Sequence, residues 1–422
     1  MFDVISIGSA TQDVFVKTNL SKVLVMKDVL SEKELLCFDY GAKVNVDHIE
    51  FCSGGGATNT AFSFACLGLK AAFLGKIGSD EAGEALIKEL QGAGVDTSFH
   101  IVSKRRTTGY SVVLTSFEGD RTVLTFRGAN SVLDAEDIDW SFLNETRWLH
   151  ITSLSGRSAK LLPILTRRAK RKGVKVSLNP GSTQIRQGIK GLKNILSRVD
   201  VLFLNKEEAA ALTGRPFTRR FIDRKRCTLC GDCVEVCPHD IFIIQDKKIQ
   251  VTGEERCVRC GRCVSHCPTR AIVTEPWAFN LLEIFEAILK TGPGIVVITD
   301  GPNGAQAADG KFHYIFPAYD VPVIATLGAG DAFSSAFLAA IIKGEKVEEA
   351  LELATANATC VIQKFGAKVG LLTMEEAHSF VQENRDEEHT VRKVPFPLSR
   401  TPSDAKRLTG RTKRKRGSAR KK

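Results

Sequence analysis

Short apolar runs alternate with amphipathic stretches along most of the chain, the pattern of a sheet buried on both faces and covered by helices. Phe2 to Gly8 is the first such run and reads as a strand. Trp148 to Thr152, Val174 to Asn179, Val199 to Leu204 and Ile295 to Thr299 repeat it, and Tyr319 to Ile324 reads as one more buried strand. Helical periodicity marks Ala61 to Leu67, the basic stretch Ser158 to Lys172, a short helix ending at Leu212, Trp277 to Lys290, and the apolar stretch Ala332 to Ile342. Period-two alternation is confined to residues 15–51, as in Lys43-Val44-Asn45-Val46-Asp47, and to a second strand pair around Thr108-Gly109 and Gly119-Asp120-Arg121-Thr122. These segments predict an antiparallel flap with one wet face. The expected fold class is α/β, a doubly wound sandwich with a small β lid.

Composition narrows this picture. A chain of 422 residues that is 43% hydrophobic buries a large core, as two or three domains or as one large fold with an insertion. No apolar run approaches the roughly 18 residues that span a bilayer, and Met1-Phe2-Asp3 lacks a basic leader, so a soluble cytoplasmic protein with no membrane partner is expected. The net charge of +11 lies in one place: residues 392–422 carry 13 Lys and Arg against Asp404, and the 391 residues before them net −1. General basicity is therefore no sign of a nucleic-acid-binding fold, and any nucleic acid would be held through the tail alone. Six charges of the basic helix (Lys160, Arg167, Arg168, Lys170, Arg171, Lys172) read most simply as a solvated face.

Three stretches carry candidate chemistry. In Ala325-Thr326-Leu327-Gly328-Ala329-Gly330-Asp331, small residues open directly into an apolar helix. N–H groups at a helix start are unpaired and lie at the positive end of the dipole, so this turn suits a phosphate. Asp331 in the first turn is placed to take a proton from a hydroxyl held over that anion hole. Ser53-Gly54-Gly55-Gly56-Ala57-Thr58-Asn59 lets a ligand approach the backbone closely. Asp13, after the first strand, could accept hydrogen bonds from two neighbouring hydroxyls, or be a turn residue. Asn205 and Glu208 stand three apart at a helix start, as a pair facing one place or as an N-cap with an acidic first turn.

Eight of the twelve cysteines fall between Cys227 and Cys267; Cys37, Cys52, Cys66 and Cys360 are scattered and read as reduced thiols. Cys227-x-x-Cys230-x-x-Cys233-x-x-x-Cys237-Pro238 recurs as Cys257-x-x-Cys260-x-x-Cys263-x-x-x-Cys267-Pro268, with a hairpin from Phe242 to Val251 between the halves. Zinc sites favour separated Cys-x-x-Cys pairs, whereas this doubled triplet with Cys-Pro resembles the bacterial two-cluster ferredoxins. That resemblance implies two [4Fe–4S] clusters, one on Cys227, Cys230, Cys233 and Cys267, the other on Cys257, Cys260, Cys263 and Cys237.

The rest of the chain resembles the ribokinase-like, or PfkB, carbohydrate kinases. The Gly-Ala-Gly-Asp turn is similar to the family's second signature, with Ala325 where an Asp often supports a monovalent-cation site. The Gly54 stretch is similar to the first signature and continues through Leu67-Gly68, Gly75-Lys76-Ile77-Gly78 and Gly94-Val95-Asp96. Asn205-x-x-Glu208 matches the motif that positions Mg²⁺ and phosphate, and Thr299-Asp300-Gly301-Pro302-Asn303-Gly304 the nucleotide loop. The resemblance implies a kinase that uses ATP and Mg²⁺ to phosphorylate a hydroxyl of a sugar or nucleoside. Its residues would be Asp331, Gly328, Ala329 and Gly330 for catalysis; Asp13, Gly54, Gly55 and Asn59 for substrate; and Asn205, Glu208, Thr299, Gly301, Gly304 and Asn357 for nucleotide. The expected domains are 1–214 and 277–384 for the kinase, 215–276 for the ferredoxin-like α+β insertion, and 385–422 for a disordered basic tail. The clusters would be structural, redox-sensing, or in electron transfer with a redox partner. An electron-transfer or ligand-binding protein on a kinase scaffold is the rival class, and a homodimer stays open because family members often pair through the lid.

Overall fold

The computed structural model describes residues 1–396 except 19–21, 29–30, 116–120, 216–217, 239, 253–261 and 277–279. Its centre is a nine-stranded sheet ordered Arg392–Pro395, Phe312–Phe316, Ala305–Ala308, Ile295–Thr299, Val201–Asn205, Lys175–Leu178, Thr146–Ile151, Phe2–Ile7 and Ala71–Leu74. The six strands from Ile295–Thr299 to Ala71–Leu74 are parallel; the other three join antiparallel. Such a sheet must be covered on both faces. Helices Leu162–Lys172, Gly188–Leu196, Lys206–Thr213 and Leu281–Leu289 pack on one face. Helices Gly56–Cys66, Ala329–Lys343, Val347–Ile362 and Met374–Glu383 pack on the other.

The lid is a four-stranded sheet in the order Arg121–Phe126, Gly109–Thr115, Thr11–Lys17, His48–Gly54. A separate hairpin, Lys22–Asp28 with Ser31–Cys37, lies in sequence between strands Thr11–Lys17 and His48–Gly54. The Cys-rich segment has its own small core around Ile241, Phe242, Ile249 and Ile272. It leaves the main α/β body through an antiparallel ribbon, Thr218–Ile222 with Ile272–Pro276. Its hairpin, Phe242–Gln245 with Lys248–Val251, turns through Asp246 and Lys247, both at positive φ, as a tight two-residue turn requires.

Two expectations fail. Tyr319 to Ile324 is not a strand: Pro322 cannot donate to a ladder, and Val323 and Ile324 are exposed. Order also persists past Arg385, because Arg392–Pro395 adds to the sheet edge and Phe396 is buried in the core. Residues 397–422, most of the basic tail, lie outside the described residues, as does Trp277 at the expected start of the Leu281–Leu289 helix.

The middle of the core depends on aromatic packing. Phe337, fully buried, meets Phe203 edge-on at 5.5 Å and Phe333 nearly parallel at 6.5 Å. Replacing Phe337 with alanine is expected to cost about 3–5 kcal/mol of stability, read by chemical denaturation.

Candidate active site

The expected residues gather at the carboxyl ends of the parallel strands, where open α/β sheets form their crevices. The Ala329–Lys343 helix begins after Gly328, whose φ is +83. A Cβ there would lie 2.5 Å from Ala367, so only glycine lets the turn seat against that loop. Ala329 closes this turn, its N–H donating to Thr326 O at 3.4 Å. The N–H groups of Gly330 and Asp331, next in the first helical turn, have no partner among the described residues. Gly330 belongs to the expected set, and Asp331 adds a second such N–H.

Asp331 Oδ2 accepts a hydrogen bond of 2.8 Å from Asn59 Nδ2. Burial, opposed by that bond and reinforced by the charge of Asp13, pushes the Asp331 carboxyl up to about 6. Asn59 Oδ1 is buried without a partner among the described residues, an acceptor waiting for a donor. Asp13 lies on the lid strand Thr11–Lys17, 5% exposed, and accepts from Thr11 Oγ1 at 2.9 Å. Burial raises its carboxyl, while hydrogen bonds from Ser111 and Thr11 and the charge of Lys368 oppose the rise. A Cβ on Gly54 would meet Asp13 Oδ2 at 1.8 Å, and one on Gly55, at φ +101, would meet Ser9 O at 2.5 Å. Gly54 is what admits the carboxylate here, and Gly55 admits the backbone of Ser9 and Ala10.

Asn205 and Glu208 form a reciprocal capping box, Glu208 N donating to Asn205 Oδ1 at 2.7 Å and Asn205 N to Glu208 Oε2 at 2.9 Å. They also line a cavity of ≈ 210 Å³ together with Thr299, Gly328, Gly330 and Asp331. Burial raises the Glu208 carboxyl, and its carboxylate is a hard oxygen donor suited to a divalent cation. Next to it lies a cavity of ≈ 620 Å³, large enough for a nucleotide, which Thr299, Gly301 and Gly304 line. Tyr319, Val321 and Val323 line it too, so the apolar residues taken for a strand form a wall of this pocket. Asn357 does not reach either cavity. Fully buried, it donates to Ala332 O and accepts from Leu372 N, joining two helices and a loop.

Sequence reasoning missed Lys368. Its side chain is only 6% exposed and donates to Ser53 Oγ at 2.5 Å, with Glu89 Oε2 at 3.3 Å. Burial pulls this ammonium down, and Glu89 and Asp13 hold it up. Its charge also opposes the rise at Asp331. The loop that carries it has no periodicity; the only signal was a lysine close behind a Phe-Gly-Ala turn.

In the insertion, Cys227, Cys230, Cys233 and Cys267 line one cavity, the set expected for the first cluster. They surround a space rather than a point: no three His, Cys, Asp or Glu side chains among the described residues converge on a single ion. Burial and then the neighbouring charge of Cys230 push the Cys233 thiol up to about 11. Burial also raises Cys267, but the Ala271 N–H, 3.2 Å from its sulfur, and Thr269 outweigh it and leave this thiol lowered. A crowded set of thiols with N–H donors to sulfur fits an iron–sulfur group. Of the second set, Cys237 and Cys263 are buried, and Cys257 and Cys260 lie outside the described residues.

Comparison with known proteins agrees with this layout. A family model described as "pfkB family carbohydrate kinase" matches residues 22–224 and 278–374, and one described as "4Fe-4S dicluster domain" matches 219–268. An ATP-dependent ribose-1-phosphate kinase of Halopiger xanaduensis is 25% identical over 333 residues, 79% of this chain and 88% of that protein. A 5-dehydro-2-deoxygluconokinase of Clostridium perfringens is 26% identical over 342 residues, 79% of this chain and 85% of that protein. A crystal structure of ribokinase from Thermotoga maritima superposes with a TM-score of 0.62 at 21% identity, covering 90% of this chain and all of that one.

Removing the charge of Lys368 should raise Asp331 further, since a nearby cation favours the carboxylate. Infrared titration of Lys368→Met, with Asp331→Asn in the same background to assign the band, is expected to show the Asp331 carboxyl above about 6. An unchanged titration would mean that the lysine charge does not reach it.

Proposed function

The chain belongs to the pfkB family of carbohydrate kinases, with a 4Fe–4S dicluster domain inserted within the kinase region, and on that premise we propose that it transfers the γ-phosphoryl group of ATP to a sugar hydroxyl. The observation that carries the mechanism is the Asn59–Asp331 hydrogen bond beside the unpaired N–H groups of Gly330 and Asp331. It puts a base and an anion hole at one point. Asp331 removes the proton of the attacking hydroxyl as the oxygen bonds to phosphorus. The Asp331 carboxyl, held near 6, is mostly ionised at neutral pH yet still basic enough to accept that proton.

Asp13 and the free Asn59 Oδ1 accept hydrogen bonds from acceptor hydroxyls, and the close glycine backbone at Gly54 and Gly55 leaves room for the ring. The relatives named for ribose-1-phosphate and 5-dehydro-2-deoxygluconate support a sugar or sugar-derived acceptor. The nucleotide base and ribose occupy the larger cavity, along Thr299, Gly301 and Gly304, and the phosphates extend toward Gly328, Ala329 and Gly330. Mg²⁺, when bound, offsets the phosphate charge. Asn205 and Glu208 are the residues on the cavity wall that would hold it, directly or through water.

Kinase chemistry moves no electrons, so the iron–sulfur groups are assigned a structural or redox-regulatory role. Cys227, Cys230, Cys233 and Cys267 would hold one cluster, and Cys237, Cys257, Cys260 and Cys263 the other.

The Asp331→Asn variant is expected to retain ATP binding, read by titration calorimetry, while losing roughly 10²–10⁴-fold in turnover. Wild-type turnover in that variant would remove Asp331 as the base. Protein purified without oxygen is expected to carry about eight iron atoms per chain, in two cubanes. Cys233→Ala should lower that to about four, and an iron content unchanged by the substitution would remove Cys233 from the ligand set.

A further inference from the structure

The folded body is almost neutral as a whole, but its charges are segregated. Residues 146–199 hold 13 Lys and Arg and no Asp or Glu, against a net charge of −1 for all of residues 1–391. In the structure this acid-free segment forms one helical layer. Helices Leu162–Lys172 and Gly188–Leu196 pack side by side on the same face of the sheet, sharing the core of Leu165, Ala169, Leu192 and Leu196.

Their outer faces are basic and exposed. The first helix presents Arg167, Arg168, Lys170, Arg171 and Lys172 to solvent, and the second Lys190 and Lys193. Lys160 and Arg186 flank them, also exposed. Arg157 and Arg147 at the margins pair with Asp134 and Asp3, and Asp134 also feels the charge of Lys160. Arg168 lies over the half-buried Trp140 ring at 4.2 Å, and no ion pair to an acid is made by Arg167, Arg168, Lys170, Arg171, Lys172, Arg186, Lys190 or Lys193 among the described residues. Positive charges three and four apart, such as Arg167 with Arg171 and Arg168 with Lys172, repel within a helix. The helix dipoles compensate Lys170, Arg171 and Lys172 in the last turn of the first helix and Lys193 in the last turn of the second, but not Arg167, Arg168 or Lys190. At one end the face continues into a cavity of ≈ 470 Å³ lined by Arg147, Lys172 and Lys175, next to the starts of strands Thr146–Ile151 and Lys175–Leu178. The kinase site lies at the other ends of the strands.

The patch also lacks what other partners need. No large hydrophobic side chain between residues 127 and 228 is exposed among the described residues, and Met1, exposed on the wall of that cavity, is a single apolar side chain beside the face, too little to anchor a protein groove or a bilayer insertion. Repeated cations with few acidic neighbours match a polymer of regularly spaced anions.

We infer that the paired helices Leu162–Lys172 and Gly188–Leu196 form a docking surface for the phosphate backbone of a nucleic acid, remote from the kinase site. Recognition there is of the backbone and not of sequence, since cations contact phosphates and no aromatic platform is exposed beside them. The surface works independently of the basic tail.

The test uses the full chain with its clusters intact and a fluorescent single-stranded RNA, with affinity measured against salt. A variant combining Arg167→Gln, Arg171→Gln, Lys190→Gln and Lys193→Gln is expected to bind at least about tenfold more weakly at moderate salt. Its slope of log affinity against log salt should fall by about 3. Thermal unfolding and iron content read alongside report the fold. A second full-length variant, Lys413→Gln, Arg414→Gln, Lys415→Gln and Arg416→Gln, isolates the tail and is expected to lose less. The inference is overturned if the helix variant binds as the parent does, or if only the tail variant loses affinity. It is equally overturned if vesicles containing phosphatidylserine bind the parent more tightly than RNA does at the same salt.

Discussion

One hydrogen bond, from Asn59 Nδ2 to Asp331 Oδ2 at 2.8 Å, joins residues 272 positions apart and sets the geometry of the site. It exists because two helices, Gly56–Cys66 and Ala329–Lys343, pack against each other on one face of the sheet. A second bond, Ser335 Oγ to Ser63 Oγ at 2.7 Å, locks the same pair one turn further along. The Asn59 amide is thereby fixed with its other end, Oδ1, buried and unpaired. Such an acceptor costs about 1–3 kcal/mol, a cost relieved when a hydroxyl donates to it. On the proposed reading the folded protein thus holds in advance the orientation that the acceptor needs, and burial of the same region raises the Asp331 carboxyl above that of an exposed aspartate.

Much of this was legible in the sequence because the signals are local. Glycines before a helix, a short apolar run, a Cys-x-x-Cys triplet and a two-residue turn each fix backbone geometry within a few residues. Asp13, Gly54, Gly55, Asn59 and Asp331 came together as their motifs implied. What failed depended on contacts distant in sequence. Tyr319 to Ile324 is apolar because it walls a pocket, and periodicity cannot separate that from a strand. The chain stays ordered past Arg385 because Phe396 finds the core, where Phe285 and His313 already pack together. Asn357 sits one position from Ala358 on the same helix, yet only Ala358 faces the nucleotide cavity. Lys368 is held by Ser53 and Glu89, residues that no local pattern joins to it. The charge tally hid the basic face for a related reason: a sum over the body cancels charges that the fold keeps apart.

The insertion is tolerated because its two ends meet. Thr218 pairs with Pro276 at the base of the antiparallel ribbon, so the chain leaves and re-enters the kinase body at nearly one point. The body's loop closure is the same as for a short turn, and the cysteine segment packs its own core around Phe242 and Ile272. The left-handed Gly214 ends the Lys206–Thr213 helix and starts the departure.

That attachment also defines how far the two parts can influence each other. The Lys206–Thr213 helix has eight residues and is therefore about 12 Å long. Its first turn carries the Asn205–Glu208 box on the wall of the phosphate-sized cavity, and its last residue precedes the ribbon. An ion pair between Arg215 and Glu283 spans the neck, but both side chains are well exposed and such a pair contributes little. The stronger link is apolar: Leu212 packs with Ile284, Phe285 and Ile288 in the core under the sheet. A rigid helix seated in that core transmits a displacement along its axis only if the core itself yields, which close packing resists. Any influence of the cysteine segment on the kinase site along this path would therefore require loosening of the helix end, not small shifts within a well-packed neck.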